Sequence, residues 1–159
     1  MTNVSILILR ILIAIMFLGM VTLQVLIFPM AAAQTAAAEP EVSYLQLPFT
    51  VLLDLVALGA EVILACIWAL LSLVKAGSIF NRGAFRFVNI IVGALTGMGT
   101  ILFGIFLYLT LILDANPPVI ALALLGGITG CFALALLMVV MRGLLRQATD
   151  MDEFMQVVA

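Results

Sequence analysis

"LLDLVALGAEVIL", residues 52–64, sets Asp54 and Glu61 in a run otherwise as apolar as a membrane span. Two carboxylates standing alone among Leu, Val, Ala and Ile are each costly to ionise in hydrocarbon. The run around them extends from about 47 to 75, and stretches of similar composition occupy about 5–30, 86–113 and 118–141. Each exceeds the roughly 20 apolar residues that cross a bilayer. Continuous apolar runs without strict alternation exclude barrel strands, so the expected fold is an all-α, four-helix transmembrane bundle with antiparallel neighbours.

Composition agrees: 67% of the 159 residues are hydrophobic and 9% charged, against roughly 45–50% apolar in soluble domains. Residues 1–146 make the expected bundle and 147–159 a short amphipathic tail. No connection reaches the about 50 residues of an independent soluble domain, so function must lie in the bundle or on short surface elements.

The net charge of −2 conceals an asymmetry. Lys75, Arg82 and Arg86 flank the second connection, and Arg142 and Arg146 follow the fourth run, whereas the other connections carry Glu39, Glu41 and Asp114 and no cation. The positive-inside rule places the second connection, the tail and both termini in the cytoplasm. "FPMAAAQ" (28–34) offers a signal-peptidase-like site, but the run before it is longer than the 7–15 residues usual for a signal peptide, so an uncleaved first span is expected.

Proline positions suggest helix ends rather than hinges, with Pro29, Pro40, Pro48, Pro117 and Pro118 at or beyond the expected boundaries. Residues 41–50 fit either a short interfacial helix or an extended segment, with Tyr44 at headgroup level. Gly93, Gly97, Thr100 and Gly104 share one face with Asn89, and Gly126 and Gly130 share another. Such small-residue stripes are expected to pack helices within the chain, the alternatives being a homo-oligomer face or the lining of a narrow path.

Asp54 and Glu61 lie seven residues apart, on one face of the second helix. Counting from a membrane entry near Leu47 brings Glu61 roughly 21 Å down, level with Arg10 of the first helix, and predicts an Arg10–Glu61 ion pair. The alternative is that Arg10 snorkels to the cytoplasmic headgroups and Glu61 stays protonated or meets Asn89. Asp54 is left facing outer water, Tyr108 or Thr110, or a ligand, because Gln24 lies too far along the first helix for both pairs to be level. Intramembrane ionisable groups are candidates for ion or proton handling.

Enzyme chemistry is not expected. The chain lacks histidine, a phosphate loop, H-E-x-x-H and G-x-S-x-G, so neither a metal site nor a cofactor is anticipated. Cys66 and Cys131 fall inside spans and read as buried thiols.

"KAGSIFNRGAFRFVNIIVGAL" (75–95) and "RGLLRQATDMDEFMQVVA" (142–159) resemble the YoaS-like family of small four-helix bacterial membrane proteins of unknown function, with Gly77, Phe80, Phe85, Arg86 and Asn89 as matching positions. The resemblance implies a bacterial inner membrane, and members often neighbour a helix-turn-helix regulator that such a protein could hold at the membrane. Two cytoplasmic elements are then expected to meet a protein partner rather than nucleic acid: the turn with Lys75, Phe80, Arg82 and Arg86, and the tail with Met151, Glu153 and Met155. A small transporter, channel or complex subunit working through Arg10, Asp54 and Glu61 is the alternative.

Overall fold

The computed structural model describes residues 3–38, 40–75, 82–113 and 117–158. The described residues are helical almost throughout: α1 (Asn3–Thr22), a π-helical turn (Leu23–Ile27), α2 (Phe28–Ala38), a 3₁₀ turn (Pro40–Leu45), α3 (Gln46–Lys75), α4 (Arg82–Leu111) and α5 (Pro118–Val158). Four continuous helical stretches are long and apolar enough to cross a membrane. Val4–Ala38 is the first of them, so α1 and α2 act as one rod.

Pro29 corrects the expectation that prolines only end spans. It lies in the first turn of α2, inside that rod, and cannot donate to the carbonyl four residues back, with which its ring clashes. The chain answers one turn earlier by widening: the Phe28 N–H reaches back five residues to the Leu23 carbonyl. The first helix therefore continues past residue 30, through a segment expected to be a connection. Beyond it, Pro40–Leu45 resolves the open choice for residues 41–50 as a 3₁₀ turn followed by the start of α3.

Close backbone approaches join α1 and α2 to α3, α3 to α4, and α4 to α5. Chain neighbours are thus spatial neighbours in an antiparallel row. The tightest side-chain cluster lies between the last three helices, where Cys66, Ile91, Leu95 and Ala135 are buried and Ile63, Ile67, Leu70, Phe87 and Met138 pack around them. Ile91, 1% exposed, is its centre.

The glycines that permit these approaches are not the expected ones. A Cβ on Gly59 would fall 2.6 Å from Met98 Cγ, one on Gly99 3.2 Å from the Phe132 ring, and one on Gly127 3.1 Å from Leu102. Gly93, Gly97, Gly104, Gly126 and Gly130 face open space. These glycines therefore make none of the close helix contacts, because a run of glycines at helical spacing records which residues share a face but not how closely a neighbour approaches it.

α5 is one unbroken helix across the expected boundary between span and tail. Every residue from Asp150 to Val158 is exposed.

Candidate functional site

The site is built on the contact between α1 and α3. Arg10 donates from Nη2 to Ser72 Oγ at 2.9 Å and lies over the Trp68 ring, 5.4 Å from its centroid. Ser72 in turn donates to the Trp68 carbonyl at 3.1 Å, which fixes its hydroxyl for the arginine. Just along the helices, Ile13, Ala14, Phe17 and Leu18 face Leu64, Ala65 and Trp68 across an apolar groove of about 470 Å³.

This register overturns the expected Arg10–Glu61 pair. Glu61 lies eleven residues before Ser72, about 16 Å along α3, well beyond the reach of one side chain. The error came from counting depth inward from Leu47: a 30-residue helix is about 45 Å long and overruns a core about 30 Å thick, so its end does not mark the boundary. Sequence reasoning missed Trp68 and Ser72 as the partners. Their signal was available, a ring and a hydroxyl four residues apart on the stripe that carries Glu61.

Asp54, Glu61 and Trp68 follow one another at seven-residue steps and share one stripe of α3. Trp68 meets α1, whereas Phe49, Gly59 and Ile63 on the other side meet α4 or its cluster. The carboxylates therefore point toward the α1 side, away from Tyr108 and Thr110. Extending the α1–α3 register brings Gln24, in the π-helical turn, opposite about Val56, between Asp54 and Glu61. Once Arg10 is freed from Glu61, the obstacle to levelling Gln24 with the carboxylates disappears.

These residues share a second property. Arg10 Nε, Gln24 Nε2, Asp54 Oδ1 and Glu61 Oε1 are buried and lack a hydrogen-bond partner, and they are the side-chain atoms among the described residues of which this holds. Arg10 is at the α1–α3 contact, and Asp54 and Glu61 share the α3 stripe that carries it. Asn89, the alternative partner for Glu61, accepts instead from Arg142 Nη1 and joins α4 to α5.

The helix contacts also align the cations. Gly59 opposite Met98 and Phe49 against Tyr108 set α3 on α4, and Gly99 against Cys131 with Asn89 bonded to Arg142 sets α4 on α5. Carried across the row, these registers put Arg10, Arg86 and Arg142 at nearly one level, with Lys75, Arg82 and Arg146 about one turn further out. All six Lys and Arg residues thus gather at one end of the row. Lys75 and Arg86 are exposed there, as are Met151, Glu153 and Met155 beyond them on α5. Phe80 and the side chain of Arg82 lie outside the described residues.

Residues 30–158 match DUF2975, described as a protein of unknown function. The chain belongs to the DUF2975 family. That membership supports the expectation of an uncharacterised family. No curated protein and no solved structure matches the chain. Among the described residues of this DUF2975 protein, no group of three or more Cys, Asp or Glu side chains is arranged to hold a metal ion.

Proposed function

We propose that this DUF2975 protein is a non-enzymatic, multi-pass protein of the bacterial cytoplasmic membrane that binds a protein partner through its cytoplasmic end. The observation that carries the reading is α5: it continues as helix to Val158, past the level at which α4 begins, with Met151, Phe154, Met155 and Val158 between 68% and 72% exposed. Side chains of that kind on a helix with no packing partner are characteristic anchors for a protein groove. Asp150, Asp152 and Glu153 on the same segment disfavour an anionic lipid surface as its main partner. The tier of cations beside it supports an N-in, C-in threading by the positive-inside rule. A cytoplasmic helix-turn-helix regulator or another membrane subunit fits this role.

The test is a mild-detergent pull-down of the tagged full-length protein beside a form truncated after Arg146. A specific protein captured by the first and lost from the second supports the reading; identical captures overturn it.

A second reading rests on the buried, unpartnered atoms of Gln24, Asp54 and Glu61. An enclosed polar atom without a partner costs about 1–3 kcal/mol, so an interface that keeps several of them is suited to a polar species such as water, a proton or a small cation. Flux through proteoliposomes, lost in Asp54→Asn or Glu61→Gln with the tail dispensable, would favour this role over the first.

A further inference from the structure

We infer that the groove between α1 and α3 is a binding site for one anionic glycerophospholipid, its acyl chain between the helices and its phosphate on Arg10. The groove is lined by Ile13, Ala14, Phe17, Leu18, Leu64, Ala65 and Trp68, all apolar apart from the indole N–H. It opens on the side of a chain whose helices are long and apolar enough to cross a membrane, and an apolar lining of this size neither holds water nor stays empty beside lipid. Hydrocarbon fills it, and the polar end of the groove determines which lipid the hydrocarbon belongs to.

That end is cationic and has no acid of its own. Arg10 spends one donor on Ser72 and lies over the Trp68 ring, leaving most of its five N–H groups without an acceptor among the described residues. Nε is enclosed, so a phosphate approaches the Nη edge. Ser72 is exposed, and Lys75, three residues on and also exposed, adds a second cation on the same side of α3. The nearest carboxylate on α3 is Glu61, about 16 Å from Ser72 along the axis, on the far side of the groove. A guanidinium placed over a tryptophan ring and bonded to a hydroxyl is preorganised for a phosphate, the acceptor its fork matches best. A zwitterionic headgroup carries the same phosphate together with a fixed cation that Arg10 and Lys75 repel, so the site prefers the anionic class.

The experiment is native mass spectrometry of the delipidated full-length protein titrated with palmitoyl-oleoyl phosphatidylglycerol or with phosphatidylcholine of the same chains. One phosphatidylglycerol is expected to be retained about tenfold more tightly than phosphatidylcholine, because the choline cation of the second is repelled by Arg10 and Lys75 while the phosphate contact is common to both. Arg10→Gln removes that preference, Arg10→Lys keeps part of it, and Ala65→Trp, which fills the groove, displaces both lipids. Equal retention of the two lipids by the wild-type protein, or a preference unchanged in Arg10→Gln, overturns the inference. The wild-type comparison decides even where a variant fails to fold.

Discussion

Arg10 and Ser72 are 62 residues apart in sequence and joined by a 2.9 Å hydrogen bond, with Trp68 beneath the guanidinium. This contact fixes the register of α1 on α3, and with it the position of every other polar side chain on that interface. A double-mutant cycle on Arg10 and Ser72, read by thermal unfolding in detergent, is expected to give a coupling of about 0.5–1.5 kcal/mol. The same cycle on Arg10 and Glu61 should give nearly none. A coupling larger for Glu61 than for Ser72 would restore the ion pair.

Gly59 sits where a Cβ would fall on Met98, whereas Gly97 meets open space. Gly59→Leu therefore overpacks the α3–α4 contact and is expected to destabilise the protein by about 1–3 kcal/mol, while Gly97→Leu stays within about 0.5 kcal/mol in the monomer. Thermal melts in one detergent at matched concentration check both. Destabilisation by Gly97→Leu that deepens as the protein is concentrated would instead reveal a self-associating glycine face.

Asn89 and Arg142 hold α4 to α5. Asn89→Ala leaves the guanidinium without that acceptor and is expected to cost about 1–3 kcal/mol, the range for losing a partner of a charged group. Asn89→Asp keeps an acceptor and adds charge complementarity, so its melting temperature should equal or exceed the wild type's. An Asn89→Asp protein as unstable as Asn89→Ala would refute the pairing.

Every residue from Asp150 to Val158 is exposed, so this end of α5 is not packed on the other described helices. Truncation after Arg146 is expected to leave the unfolding free energy within about 0.5 kcal/mol of wild type while reducing the helix signal in circular dichroism. A large loss of stability would mean that the tail folds back on the apolar helices, and would remove it as a free docking element.

Much of the architecture was legible in the sequence. Four apolar runs of sufficient length give four apolar helices because backbone groups in lipid have to bond within their own segment, and α3 begins within a residue of the expected start and ends at the expected Lys75. The polar residues of the candidate site, Arg10, Gln24, Asp54 and Glu61, were also singled out by type alone, since charge and amide groups are rare in such runs. Their partners were not. Depth along one helix was counted from that helix's own end, and ends of 30- and 41-residue helices are poor landmarks for a core about 30 Å thick.

Composition and hydrophobic run length, then, determined by themselves that this protein is helical, how many helices are long and apolar enough to cross a membrane, and which few polar residues stand inside them. Tertiary structure alone decided that Arg10 meets Trp68 and Ser72, that Gln24, Asp54 and Glu61 each keep an enclosed polar atom without a partner, that Gly59, Gly99 and Gly127 rather than the glycine stripe make the close contacts, and that Pro29 is accommodated by a π-helical turn. The reason is physical. Whether a segment enters lipid depends on its own transfer free energy, a local sum over residues, whereas the register between two helices is set by how their side chains interdigitate and by hydrogen bonds between residues far apart in the chain, which no local sum contains.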